Sequence, residues 1–196
     1  ELGTEGQIEG GPKPFVDTLT EVIQEVSEAK KNPDGISGVS TGFRDLDNKM
    51  GGLHKSDLLI LAGRPGMGKT AFATCLAFNT ARSFLEDIKA GKERKGVAFF
   101  SLEMSASQLA GRILAMETQI ASDKLRNGKI TTDEFRRVVG FAADLEKVPL
   151  YVDDTPGLTV AAIHNRCRRL KRDSSKGLGL VVIDYLQPVS YTHLTL

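Results

Sequence analysis

The chain has no tryptophan, two cysteines and three histidines in 196 residues. Cys75 and Cys167 give no disulfide framework, and with His54, His164 and His193 they form no metal-ligand spacing. Both cysteines read as small core or boundary residues of a reducing compartment. Long apolar runs are also missing. None approaches the roughly 20 residues of a membrane span, and no signal peptide opens the chain. The compartment predicted is the cytosol. Charge of one sign is lacking as well: 26 Lys and Arg face 25 Asp and Glu, a formal net charge of +1. That balance excludes a global basic field, so any nucleic-acid contact must be local. With 40% hydrophobic residues and no internal repeats, the composition is that of one buried core with extensions.

What is present is concentrated in Gly63-Arg64-Pro65-Gly66-Met67-Gly68-Lys69-Thr70. These residues fit G-x-x-x-x-G-K-[ST], the phosphate-binding loop of ATP- and GTP-hydrolysing proteins. Asp57 to Ala62 is an apolar run of strand length just before it, and Lys69 to Phe78 begins a helix-favouring run just after. Glycines let backbone N–H groups close around phosphate oxygens, and a helix N-terminus adds about half a positive charge. In this chemistry Lys69 reaches the β- and γ-phosphates of ATP, and the Thr70 hydroxyl sits on Mg²⁺.

Further along, apolar strand-length runs at 97–100, 150–152 and 180–183 alternate with helical patterns. Ser105 with Gln108, and Thr131 with Glu134, make capping boxes; Thr159 can cap a third helix. Phe43, Leu46 and Met50 suggest a short helix stopped by Gly51-Gly52. The order predicts an α/β fold: a mostly parallel sheet with helices on both faces. Phe15 to Ala29 carries an apolar stripe at helical spacing (Phe15, Val16, Leu19, Val22, Ile23, Val26). That stripe must be buried either in the chain's own core or on a neighbouring subunit.

Ligands of such sheets sit beyond the carboxyl ends of the strands. Asp184 ends the run Leu180 to Ile183 and fits a Walker B aspartate that holds Mg²⁺. Glu103 follows Phe99-Phe100-Ser101-Leu102. Its position leaves open a water-orienting carboxylate or a surface glutamate near a helix cap. Asp153 and Asp154 read as turn and cap residues before Pro156-Gly157. The basic run Arg166, Arg168, Arg169, Lys171 and Arg172 reads as a solvated helix face.

Together these residues resemble the C-terminal motor domain of the bacterial replicative DNA helicases, the DnaB family. The matching stretches are 42–47 with Gly51-Gly52-Leu53, the loop Gly63 to Thr70, Phe100 to Ser105, Lys124 to Gly128, and Val182-Ile183-Asp184-Tyr185-Leu186-Gln187. The resemblance implies a RecA-like ATPase core. It implies that Glu103 is the catalytic glutamate, Asp184 the Walker B aspartate, and Gln187 a glutamine linking the γ-phosphate to DNA-binding loops. It implies that the helix from Phe15 docks on the adjacent subunit of a homo-hexamer. The implied activity is ATP- and Mg²⁺-dependent translocation along single-stranded DNA with duplex unwinding, and the implied partners are primase and a helicase loader. Two rival readings stay open: a RecA-like recombination or repair ATPase, and a nucleotide-gated assembly or loading module.

The expected organisation is a flexible linker over residues 1–14, a linker helix over 15–35, the ATPase domain over 36–187, and a non-native tail over 188–196. Val189 to Leu196 can be written as GTC TCT TAT ACA CAT CTG ACG CTG, the string of a transposase adaptor used in sequencing libraries. An intact gene should lack it, and finding this octapeptide inside an unbroken frame would refute a foreign origin. The resemblance implies that the family's N-terminal domain lies before these 196 residues and its DNA-binding loops and arginine finger beyond Gln187. An arginine finger contributes on the order of 10³–10⁵ in rate. The chain alone is therefore expected to bind Mg-ATP weakly, hydrolyse it very slowly and leave forked DNA paired. Robust DNA-stimulated phosphate release would refute this.

Overall fold

Val97-Ala98-Phe99-Phe100-Ser101 has no alternating polar positions, and only a strand covered on both faces accommodates such a run. In the computed structural model, which describes residues 14–31 and 36–185, all five of these residues are buried. They form β1 (Val97–Ser101), the middle of a three-stranded parallel sheet. Its neighbours are β2 (Leu150–Asp153) and β3 (Leu180–Asp184), in the order β2-β1-β3. The register pairs Val97 with both Leu150 and Leu180, Phe100 with Asp153, and Ser101 with Asp184.

Helices cover both faces, as the alternation of patterns predicts. Val97 and Phe99 pack with Ala77, Ala81 and Phe84 of α3 (Lys69–Lys89) and Leu109 of α4 (Ala106–Thr118). Ala98 and Phe100 pack on the other side with Ile163, Cys167 and Leu170 of α7 (Val160–Arg172). Two further helices, α5 (Ser122–Asn127) and α6 (Thr132–Leu145), lie between α4 and β2. Both capping boxes form: Ser105 accepts from Gln108 N–H, Thr131 accepts from Glu134 N–H, and each partner side chain reaches back. Thr159 caps α7 by accepting from Ala162 N–H. The six-residue α5 has no apolar periodicity to announce it; Gly128, in the left-handed region, ends it.

One expected element is different. Asp57 to Ala62 belongs to no strand, and Leu58 and Ile60 are 85% and 83% exposed. An apolar run signals a preference for burial, but a strand exists only where a neighbour completes its ladder. No described segment pairs with this one or with the outer edge of β3. The phosphate loop is therefore not entered from a sheet strand among the described residues.

The later part of α3 packs where the chain enters β3, since a Cβ added at Gly179 would lie 2.5 Å from Phe84 Cζ.

A closed loop straps the same helix from outside. Val39 and Leu53 form an antiparallel bridge, and Gly38 N–H donates to Gly51 O at 2.8 Å. Between them lies α2 (Arg44–Met50), ended by Gly51 at φ +70°. Inside the loop Asp47 is 3% exposed and surrounded by donors. Thr41 N–H and hydroxyl donate to its Oδ1 at 2.9 and 2.7 Å, the Ser40 hydroxyl donates to Oδ2 at 2.8 Å, and Gly42 N–H lies close enough to act on the same charge. Burial raises the Asp47 pKa, but the hydrogen bonds from Thr41, Ser40 and Gly42 outweigh it and hold the carboxyl below its ordinary value. The sequence pattern places α2 and its glycine stop but marks Leu46, not Asp47, as the residue that matters.

The remaining helix, α1 (Phe15–Lys31), keeps its described apolar residues 44–74% exposed, so its stripe is not buried in the chain's own core. Residues 1–13, 32–35 and 186–196 lie outside the described part, and with them the expected linker, Gln187 and the tail.

Asp47→Asn removes the charge that Ser40 and Thr41 surround. It should cost about 1–3 kcal/mol in urea unfolding at neutral pH. Because the folded-state pKa is depressed, the carboxylate's contribution is complete above the ordinary value of about 3.9 and is lost as pH falls through the folded value. The loss on substitution should therefore shrink at acid pH. An equal loss at pH 7 and pH 3 would contradict the assignment.

Candidate functional site

The loop from Gly63 to Thr70 turns on two glycines in the left-handed region, Gly66 at φ +77° and Gly68 at φ +81°. A Cβ built at either meets no protein atom within 4 Å, so the demand for glycine is conformational and the space in front of the loop is open. Gly68 is the N-cap of α3 and offers no side-chain cap. The first bond inside the helix is Phe72 N–H to Gly68 O at 2.9 Å. The N–H groups ahead of Phe72 therefore have no partner within the helix, and they point with the positive end of its dipole toward the open space. A cavity of ≈ 600 Å³ lies there, lined by Gly63, Arg64, Met67, Gly68, Lys69 and Phe72 among others.

Lys69 folds back over its own loop, its ammonium donating to Gly63 O at 2.8 Å and Arg64 O at 3.2 Å. Thr70 is half-buried in the first turn. Its carbonyl accepts from the Thr74 hydroxyl at 2.7 Å, while its own hydroxyl donates to no described residue.

The two acids lie at the carboxyl tips of adjacent strands. Asp184 is 7% exposed, and its Oδ2 is buried with no hydrogen-bond partner among the described residues. A buried carboxylate oxygen with no donor calls for a cation or a bound water, which fits the metal role expected of it. Its backbone is pinned, since Leu102 N–H donates to Asp184 O at 2.7 Å. Glu103 follows directly and is exposed, with no hydrogen bond to a described residue. Its turn is locked by Ser101, whose hydroxyl donates to Met104 O at 2.6 Å and accepts from Met104 N–H at 3.2 Å. Ser101 holds the turn that presents Glu103, and its one sequence signal is a hydroxyl at a strand end, five residues before α4 begins. The structure thus brings Glu103 and Asp184 to the carboxyl ends of neighbouring strands. Neither acid lines the cavity beside Lys69.

The other strand-tip acids are occupied. Asp153 accepts from Thr155 N–H and hydroxyl at 3.2 and 2.7 Å and pairs with Arg166. Burial raises its pKa, and the bonds from Arg166 and Thr155 outweigh that and hold it low. Asp154 accepts from Ala106 N–H at 2.8 Å, capping α4 from another element. The turn-and-cap reading of both acids agrees with these bonds. Arg168, Arg169, Lys171 and Arg172 are exposed on α7, as a solvated face requires. Among the described residues no group of three or more His, Cys, Asp or Glu could by itself enclose a metal ion, and no helix is long and apolar enough to cross a membrane.

A parallel sheet, a glycine loop feeding an uncapped helix, and acids at the strand tips define an α/β domain of the phosphate-loop ATPase class. Residues 38–194 match the family described as DnaB-like helicase C terminal domain, and the chain belongs to that family. Among curated relatives it is 47% identical over 171 residues to the replicative DNA helicase DnaB of Rickettsia prowazekii (strain Madrid E), covering 87% of this chain and 35% of that protein. The same enzyme of Geobacillus stearothermophilus is 42% identical over 179 residues, covering 91% and 37%. The chain thus spans about a third of the length of the curated relatives it matches. A solved structure described as an ATPase domain superposes with a TM-score of 0.77 at 25% identity, covering 93% of this chain and 61% of that one. A second, "The Structure Of A DnaB-Like Replicative Helicase And Its Interactions With Primase", gives 0.73 at 24% identity, covering 95% and 42%, and supports the fold.

Proposed function

We propose that this chain is the ATP-hydrolysing part of a replicative DNA helicase, in which Gly63 to Thr70 hold the triphosphate and Asp184 and Glu103 complete the site. The observation that carries the reading is the buried Oδ2 of Asp184, which has no hydrogen-bond partner among the described residues, on a residue paired in register with Ser101 at the tip of the sheet. Family membership supports it.

In this reading the backbone N–H groups of the loop and the first turn of α3 hold the phosphate oxygens. Lys69 exchanges the carbonyls of Gly63 and Arg64 for the β- and γ-phosphates. The Thr70 hydroxyl and Asp184 would hold Mg²⁺, which when bound supplies positive charge against the phosphates. Glu103 accepts the proton of the attacking water. The new bond forms from that water oxygen to the γ-phosphorus, the bond to the β-phosphate oxygen breaks, and ADP and inorganic phosphate leave. Gln187 then links the γ-phosphate to the DNA-binding segments.

The motor is a ring-shaped homo-hexamer acting on single-stranded DNA. The exposed stripe of α1 is its inter-subunit anchor, since a helix with six apolar residues in water needs a partner. Primase and a helicase loader are its further partners; the name of one structural neighbour records interactions with primase. The site of action is the cytoplasm.

Glu103→Gln in the full-length protein decides the matter. It removes the proton acceptor and keeps the shape. Phosphate release and unwinding should fall by about 10²–10⁴, the usual contribution of a general base, with Mg-ATP affinity unchanged. Turnover within a factor of a few of the parent would remove Glu103 from the mechanism.

A further inference from the structure

We infer that Phe43 is a positioning residue for the phosphate loop, holding the first turn of α3 in its ligand-ready form by stacking on Phe72. The inference rests on the nucleotide-binding reading above and assigns a role to a residue outside the phosphate loop.

The two rings stack, with centroids 4.8 Å apart and planes 18° apart. Phe72 is the residue whose N–H closes the first hydrogen bond of α3, onto Gly68 O, and its ring also lines the cavity beside Lys69. Whatever holds Phe72 therefore holds the turn that contains Lys69 and Thr70. Phe43 is itself held. Its N–H donates to the Thr41 hydroxyl at 3.1 Å, and that hydroxyl donates to buried Asp47 at 2.7 Å. The strap is anchored further down α3 as well. The Thr80 hydroxyl donates to Ser40 O at 3.0 Å, and a Cβ at Gly42, where φ is +77°, would lie 2.4 Å from Asn79 Cβ. The loop thus grips α3 at Phe72 and again at Asn79 and Thr80.

This grip matters because the usual support is missing on the other flank. The segment 57–62 leading into the loop is exposed and paired with no described strand. Helix ends without a cap fray, and Gly68 provides no side-chain cap. A site that is competent only when its first turn is formed binds more weakly by the fraction of time the turn is open. The Phe43–Phe72 stack raises the formed fraction.

The test compares the unsubstituted 196-residue chain with Phe43→Ala and Phe43→Tyr. A fluorescent ATP analogue with Mg²⁺ is titrated, and amide hydrogen exchange is followed. Loss of one aromatic pair should raise the dissociation constant about threefold to tenfold in Phe43→Ala. Exchange should speed up at residues 69–73 but not at β1, and added nucleotide should restore protection. Phe43→Tyr, which keeps the ring, should bind like the parent. Unchanged affinity in Phe43→Ala, or faster exchange spread evenly through α3 and β1, would overturn the inference and leave the nucleotide reading intact. Absence of binding by the unsubstituted chain would instead overturn the nucleotide reading, and this inference with it.

Discussion

The parallel pairing of β1 with β3 is the constraint on which everything else turns. It sets Ser101 beside Asp184. From that one register follow the burial of the Asp184 carboxylate and the turn that presents Glu103. A slip of a single residue would send Asp184 to the opposite face and unlock the Ser101 turn. The register is defended by side chains that admit no such slip. Phe99 and Phe100 are each buried, on opposite faces, against different helices.

Polar contacts divide the labour around this frame. Asp47, Asp153 and Asp154 are each committed to donors of the protein and serve shape. Asp184 is the exception, with an oxygen that no described donor reaches. What sets Asp184 apart is not burial, since Asp47 is more buried. It is whether the fold itself satisfies the charge. A buried anion left unsatisfied is costly, and it is retained where a ligand will satisfy it.

Much of this was legible in the residues. The glycine loop, the helix after it, three strands, two capping boxes and both strand-tip acids can be read from spacing, because each depends on neighbours a few residues away. What escaped depends on distant partners. Asp57 to Ala62 carries every local mark of a strand and is not one, because pairing is a property of the neighbour. Asp47 looks like one more surface acid of a short helix, and only the folded loop shows Thr41 and Ser40 turned inward onto it. Phe43 and Phe72 are far enough apart in sequence that no periodicity connects them. The family resemblance and the match over residues 38–194 agree, while the roles of Glu103, Gln187 and Asp184 rest on the chemistry argued for them.

The sheet has two outer edges, and they are guarded unequally. β2 is four residues long, follows Pro149 and ends in an acid tied down by Arg166. β3 carries exposed Val181 and Ile183 and has no described neighbour on its open side. Short length and proline blunt recruitment of foreign strands, whereas an apolar free edge invites it. Self-association of this chain in concentrated solution should thus begin at β3, and a charged residue placed at Val181 would be the simplest way to keep it monodisperse.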